Sequence, residues 1–125
     1  MMTTLLSIAA GGAIGATARY LTNTAVMRLV GPGFPWGTVV ANVAGSFLMG
    51  VLVVVLAHKG GMRFAPFLMT GVLGGFTTFS AFSLDTMILI ERGATAQAGA
   101  YVIGSVVLSV TALAVGMVLA RGIVA

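Results

Sequence analysis

The sequence GVLGGFTTFSAFS, residues 71–83, lies in the middle of an apolar run that extends from residue 64 to residue 90. It contains three glycines, four hydroxyl residues and three of the chain's seven phenylalanines. Glycine in a helix interior costs about 1 kcal/mol relative to alanine, and non-helical backbone at membrane depth is tolerated only where it is buried in protein or lines a wet cavity. The stretch therefore predicts a transmembrane helix broken near its glycines. Gly74→Val is expected to impair assembly more than any single hydroxyl change, because it crowds that break.

The composition is that of an integral membrane protein. Of the 125 residues, 59% are hydrophobic and 6% are charged, whereas an ordinary soluble domain has about a quarter charged residues. The net charge of +4 comes from scattered cations that mostly lie at the ends of apolar runs. This pattern is typical of membrane anchoring and argues against nucleic-acid binding. No cysteine is present, which excludes disulfides and thiolate chemistry.

Four apolar segments are long enough to cross a bilayer. We predict an all-α protein with a single transmembrane domain, residues 1–125, and spans at about 5–27, 37–57, 64–90 and 96–120. The third segment would be about 40 Å long if it were wholly helical. Because the hydrocarbon core is about 30 Å thick, this excess length also favours a break in the third span.

The positive charges give almost no preferred orientation in the membrane. Four spans would place both termini and the loop between spans two and three on one side. The cations on that side are Lys59, Arg63 and Arg121, and those on the other side are Arg19, Arg28 and Arg92. The positive-inside rule needs an excess, so we predict insertion in both orientations and an antiparallel homodimer with a two-fold axis in the membrane plane, as in inverted-repeat transporters. A single, weakly biased orientation is the alternative.

Uncharged polar and aromatic side chains lie within three of the predicted spans. They are Thr38 and Asn42 on the second, Thr77, Thr78, Phe79, Ser80, Phe82 and Ser83 on the third, and Tyr101, Ser105 and Ser109 on the fourth. A single such hydroxyl more often makes an interhelical hydrogen bond, and a phenylalanine pair is more often core. Taken together, donors without fixed charge suit a small anion that is partly dehydrated but not held tightly. The ring edges of Phe79 and Phe82 also present positive potential to an anion.

Catalysis is not indicated by the residues present. The two carboxylates, Asp85 and Glu91, lie at the end of one span with no histidine or cysteine placed to complete a catalytic set. A passive anion channel is the first interpretation. The alternatives are a proton-coupled multidrug exporter, which would need a membrane-embedded carboxylate that spans one, two and four lack, and a structural subunit, which would not explain hydroxyl rows on three helices.

Four stretches of the chain match a known family. They are GGAIGATARY (11–20), PWGTVVANVAGSFLMG (35–50), GVLGGFTTFSAFS (71–83) and ERG (91–93). Over essentially its whole length the chain resembles the small dual-topology fluoride channels called Fluc or CrcB. The resemblance implies a fluoride-selective channel that passively exports cytoplasmic fluoride and lowers its toxicity. It also implies an antiparallel homodimer with two fluoride pathways, embedded as a multi-pass protein in the lipid bilayer of the cell (inner or plasma) membrane.

The same resemblance implies roles for individual residues. The implied fluoride-pathway residues are Thr38, Asn42, Phe79, Phe82, Tyr101, Ser105 and Ser109. The carbonyl oxygens of Gly74 and Thr77 are implied to bind a structural sodium ion at the dimer centre. That assignment agrees with the carbonyls that a broken helix leaves free.

Asp85 departs from the family pattern, because members usually have the longer Glu at this position. Arg19 lies toward the far end of the first span and Asp85 toward the far end of the third. Since both ends face the same side, we also expect a salt bridge between Arg19 and Asp85 within one subunit.

Overall fold

The computed structural model describes residues 1–124, which form four helical segments and contain no β-strand. The all-α prediction is therefore confirmed. The continuous helices are α1 (Met2–Val30), α2 (Trp36–His58) and α4 (Thr95–Val124). The third segment has two parts: α3a comprises a 3₁₀ turn (Met62–Phe64), a π-helical stretch (Pro66–Leu73) and a short α-helical turn (Gly74–Phe76), and α3b is an α-helix (Phe79–Glu91).

Three segments within residues 1–124 are long and apolar enough to cross a membrane. They are Trp36–His58, Met62–Glu91 and Thr95–Val124. α1 has the required length, with 29 residues, but its Arg19, Asn23 and Arg28 and its many glycines and threonines lower its hydropathy. The multi-pass membrane class is supported by length and composition, and a crossing by α1 stays a prediction.

The third segment is broken, as predicted, but the break lies at two threonines rather than at the glycines. Thr77 (φ −84°, ψ 158°) and Thr78 (φ −153°, ψ 126°) have extended backbone, while the three glycines that precede them are helical. The Thr78 hydroxyl accepts a hydrogen bond of 3.1 Å from the backbone N–H of Ala81. Thr78 is thus the N-cap of α3b, a position that favours threonine, and the β-branched side chains favour the extended backbone.

The glycines of this stretch serve the close packing of α3a against α1. A Cβ atom on Gly11 would lie 2.9 Å from the Cα of Gly71, and one on Gly75 would lie 2.7 Å from an α1 carbonyl oxygen. Gly74 differs, because a Cβ there would lie 3.5 Å from the nearest atom outside its immediate neighbours, an ordinary contact. A Cβ at Gly74 is thus accommodated within one protomer, and the expected effect of Gly74→Val on assembly stays a prediction.

Replacement of Gly11 by alanine is expected to lower the stability of the protein by roughly 1–3 kcal/mol, the usual cost of overpacking. The new methyl group would meet backbone atoms of α3a, which cannot rotate away as a side chain would. The control is Gly12→Ala, because a Cβ at Gly12 meets nothing within 4 Å in the protomer. Melting temperatures measured in one detergent should be lower for Gly11→Ala, and equal values would contradict the close approach.

The extensive packing of α2 against α4 also depends on small residues. A Cβ on Gly50 would lie 3.1 Å from the backbone nitrogen of Met117, and one on Gly116 would lie 3.2 Å from that of Val51. Nearer the break, Gly45 lies against the side chains of Phe76 and Thr77. Because these approaches are close, the middle of α2 lies beside both α4 and the break.

Candidate functional site

Asn42 on α2 binds the backbone at the break with both ends of its amide. Its Nδ2 donates to the carbonyl oxygen of Thr78 at 3.0 Å, and the backbone N–H of Thr78 donates to its Oδ1 at 2.8 Å. A buried backbone group without a partner costs about 1–3 kcal/mol. The amide therefore satisfies both the N–H and the carbonyl group of the extended backbone at Thr78.

A cavity of about 410 Å³ lies beside the break, between α2, α3b and α4. We name it the break cavity. Five of the seven predicted pathway residues line it: Asn42, Phe79, Phe82, Ser105 and Ser109. Ser46 and Met49 also line it and were missed from the sequence, although Ser46 lies four residues after Asn42 and so shares its helical face. Among the described residues of the lining, none carries a charge.

Ser105 brings an unsatisfied hydroxyl to the break cavity. The residue is 5% exposed, and its Oγ has no hydrogen-bond partner within the part of the chain that the structure describes. A buried polar group of this kind is costly unless it meets a ligand or an ordered water. Ser105 is therefore the polar side chain in the cavity that most needs an external partner.

The two phenylalanines of the break cavity differ in how far their own protomer covers them. Phe82 is 9% exposed and Phe79 is 77% exposed. Their ring centroids are 5.5 Å apart with the planes tilted by 47°, and the Phe82 ring also packs against Tyr101 at 5.0 Å. The inner ring is thus fixed by its neighbours, while most of the outer ring is uncovered.

Thr38 and Tyr101, the other two predicted pathway residues, converge on a carboxylate instead. The hydroxyl of Thr38 donates to Oδ2 of Asp85 at 2.8 Å, and that of Tyr101 donates to the same oxygen at 3.0 Å. Tyr101 is 1% exposed, so the donor of this second hydrogen bond belongs to a buried side chain, while Asp85 is half-buried. Sequence reasoning placed Asp85 in a salt bridge with Arg19 and not with the pathway residues, although it follows Phe82 by three residues and so shares its helical face.

Arg19 and Asp85 do not pair in this structure, so the predicted salt bridge is wrong for the described protomer. Arg19 Nε donates to the carbonyl oxygen of Gly75 at 3.1 Å, while Asp85 accepts from two hydroxyls. A cation suits the end of the short helical turn at Gly75, where carbonyl groups lack helical partners. Arg19 and Asp85 both line a second cavity of about 320 Å³, together with Arg92. We name it the arginine cavity, and Thr78 lines both cavities.

The backbone oxygens at the break bear on the sodium site, which stays a prediction. The carbonyls that accept hydrogen bonds from protein donors are those of Leu73, Gly75 and Thr78. Those of Gly74 and Thr77 receive none from residues 1–124. The described residues also contain no cluster of three or more histidine, cysteine or acidic side chains that could hold a metal. The two carbonyls predicted as sodium ligands therefore fit a hard cation, which prefers oxygen ligands.

The fold and the site define a class: a helical, multi-pass membrane protein with an uncharged polar cavity at a helix break. Within this class the chain belongs to the CrcB family, because the family model described as CrcB-like protein, Camphor Resistance (CrcB), matches residues 6–117. The resemblance inferred from the four sequence stretches is therefore confirmed.

Relatives of high identity share one name. The chain is 66% identical to the fluoride-specific ion channel FluC of Cereibacter sphaeroides (strain ATCC 17029 / ATH 2.4.9), over 98% of each chain. It is 56% identical to the protein of that name from Paracoccus denitrificans (strain Pd 1222), over 100% of each chain. It is 50% identical to that of Mesorhizobium japonicum (strain LMG 29417 / CECT 9101 / MAFF 303099), over 98% of this chain and 99% of the relative. These names describe channels rather than enzymes, in agreement with the prediction of no catalysis.

Proposed function

We propose that the chain is a fluoride-selective channel that passively exports cytoplasmic fluoride and so lowers fluoride toxicity. The observation that carries the proposal is the break cavity, which has no charge in its described lining and has a buried, unpartnered hydroxyl on Ser105. Uncharged donors can replace the water shell of a small anion without holding the ion too tightly to leave. The relatives named above, at 50–66% identity, are named for fluoride.

The proposed pathway follows the break cavity. Asn42 has a second N–H on Nδ2, because an amide nitrogen has two hydrogens and the structure uses one for Thr78. Ser105 and Ser109 lie one turn apart on α4 and provide hydroxyl donors, and Phe79 and Phe82 provide positive ring edges. Thr38 and Tyr101 remain in the proposal through their bonds to Asp85, beside Phe82.

The test is anion efflux from liposomes that contain the purified protein, followed with a fluoride electrode. Fluoride should leave rapidly once a counter-ion is also allowed to cross, so that no opposing membrane potential builds up. Chloride efflux measured in parallel should be far slower. Vesicles that hold fluoride as tightly as protein-free vesicles would overturn the proposal. Equal passage of chloride would overturn the selectivity.

We also propose that two copies assemble as an antiparallel homodimer in the bilayer. Phe79 is 77% exposed at the break, and Gly74 is exposed as well. The carbonyls of Gly74 and Thr77 have no protein donor among residues 1–124. Polar backbone groups in lipid need a partner, and a second copy related by a two-fold axis would bring the two breaks together.

The orientation can be tested by cysteine labelling, because the chain has no cysteine of its own. A Thr3→Cys variant, exposed near the N-terminus, would be treated in intact cells with a membrane-impermeant maleimide. About half of the copies should react, as expected when cations are balanced between the two sides. Labelling of all copies, or of none until the membrane is permeabilised, would show a single orientation.

We propose that the carbonyl oxygens of Gly74 and Thr77 from both copies hold a sodium ion at the dimer centre. The ion would satisfy the carbonyls for which the protein offers no donor. The measurement is the melting temperature of the purified protein in sodium chloride and in N-methylglucamine chloride at equal ionic strength. A lower value without sodium supports the site, and identical values would overturn it.

Replacement of Phe82 by isoleucine is expected to slow fluoride efflux by about tenfold, which corresponds to roughly 1.4 kcal/mol in the barrier. The substitution removes the ring edge but keeps an apolar side chain at a buried position. The control is Leu84→Ile, because Leu84 is 61% exposed on the same helix and lines neither cavity. Wild-type efflux from Phe82→Ile, with the fold intact by circular dichroism, would discredit the ring-edge argument.

A further inference from the structure

A row of five aromatic rings runs from the first residue of α2, through the loop between α1 and α2, to the break cavity. Ring centroids are 4.8 Å apart for Trp36 and Phe34, 5.5 Å for Phe34 and Tyr101, 5.0 Å for Tyr101 and Phe82, and 5.5 Å for Phe82 and Phe79. The contact between Phe34 and Tyr101 is edge-to-face, with planes at 90°. Rings at these separations restrain one another's orientation. The loop is therefore connected to the proposed pathway through a series of aromatic contacts.

The loop itself is tied to the turn that follows α3b. Nη2 of Arg92 donates to the carbonyl oxygen of Gly33 at 2.7 Å. Gly31 and Gly33 have φ angles of 81° and 123°, a backbone region that other residues rarely adopt. The next residue, Phe34, packs as a partly buried ring against the buried cluster that includes Phe82 and Tyr101. A solvent-exposed hydrogen bond from Arg92 therefore links the turn after α3b to the loop, and the Phe34 ring of that loop touches Tyr101.

We infer that Arg92 and Phe34 are positioning residues for fluoride passage. Arg92 holds the loop, the loop places the edge of Phe34 on the ring of Tyr101, and that contact holds Tyr101 against Phe82. Tyr101 is then restrained at two points, by Phe34 on its ring and by Asp85 on its hydroxyl. Neither Arg92 nor Phe34 lines the break cavity. The inference rests on the proposed function, because flux is one of its two readouts.

The second readout uses Trp36, the only tryptophan in the chain. Its indole packs on Phe34 at 4.8 Å, so quenching of its fluorescence by acrylamide reports on the loop without any ion flow. Arg92→Gln and Phe34→Leu should each increase quenching. Each should also slow fluoride efflux by about two- to tenfold, the range expected for loss of one aromatic contact. The control is Arg28→Gln, which removes a charge from the last turn of α1 and should change neither readout.

The double variant distinguishes positioning from simple attraction of anions by the Arg92 charge. If Arg92 acts through Phe34, the Arg92→Gln/Phe34→Leu protein should be no slower than the slower single variant, because both remove the same contact. The defect of Arg92→Gln should also persist at high ionic strength, where an effect of charge alone would be screened. Independent, multiplying effects on efflux, or unchanged Trp36 quenching in both single variants, would overturn the inference.

Failure of the inference and failure of the proposed function give different results. If wild-type protein releases fluoride and both single variants release it equally fast, the inference falls and the channel stands. If wild-type protein releases no fluoride, the channel proposal falls together with the positioning role. In that case the quenching data still show whether Arg92 fixes the loop.

Discussion

Asn42→Asp is expected to abolish fluoride efflux from proteoliposomes while the protein still assembles. The substitution places a fixed negative charge in a cavity whose described lining has none. At a separation of 4 Å and an effective dielectric constant of about 20, the repulsion between this carboxylate and a fluoride ion is about 4 kcal/mol. A barrier higher by that amount slows passage about a thousandfold, which a fluoride electrode would record as no efflux.

Asn42→Ala separates the effect of charge from the effect of lost hydrogen bonds. Aspartate can still accept from the backbone N–H of Thr78 but turns its second carboxylate oxygen toward the carbonyl oxygen of Thr78, whereas alanine loses both bonds without adding this repulsion. The alanine variant should therefore retain more fluoride efflux than the aspartate variant, and thermal unfolding checks that both variants remain folded. If the two variants were equally inactive, the loss would come from the backbone at the break and the charge argument would fail. Wild-type efflux from Asn42→Asp would exclude Asn42 from the pathway.

The sequence was sufficient to predict that the third span breaks, but not where. Glycine in an apolar segment has two uses, a flexible backbone or a close approach of helices, and composition alone does not distinguish them. Here the neighbouring helix α1 shows that the use is close approach, because Gly71 faces Gly11 of α1 at a distance too short for a Cβ atom. The break lies instead at Thr77 and Thr78. Threonine followed by a new apolar run is itself a capping signal, and it was available in the sequence.

Helical spacing was sufficient to predict which site residues share a helix face. It was not sufficient to predict how far along the helix axis each one lies or which group it contacts. Tyr101, Ser105 and Ser109 follow one face of α4, yet each turn moves a residue about 5.4 Å along the axis. That displacement places the Tyr101 hydroxyl on Asp85 and leaves the two serines on the break cavity. Arg19 shows the same limit. Its charge predicted a carboxylate partner, but the helix end at Gly75 supplied a nearer acceptor that has no signature in the sequence.

Asp85→Ala is expected to reduce stability and fluoride efflux together. Asp85 accepts hydrogen bonds from Thr38 and Tyr101 on a single oxygen, and hydrogen bonds to a charged group contribute roughly 1.5–3 kcal/mol each. Alanine would leave both hydroxyls without this acceptor, and that of Tyr101 belongs to a residue only 1% exposed. The released Tyr101 ring would also lose its fixed position against Phe82. Melting temperature and initial efflux rate measure the two losses.

Asp85→Asn and Tyr101→Phe show whether the acceptor or the charge matters. The amide oxygen of asparagine can still accept both bonds, so this variant should melt closer to the wild type than Asp85→Ala does. Adding Tyr101→Phe to Asp85→Ala removes a donor that the alanine had already left without a partner. The double variant should therefore be at least as stable as Asp85→Ala alone. If the two substitutions instead destabilised the protein by strictly additive amounts, Asp85 would not be acting through Tyr101, and its effect on efflux would need another route.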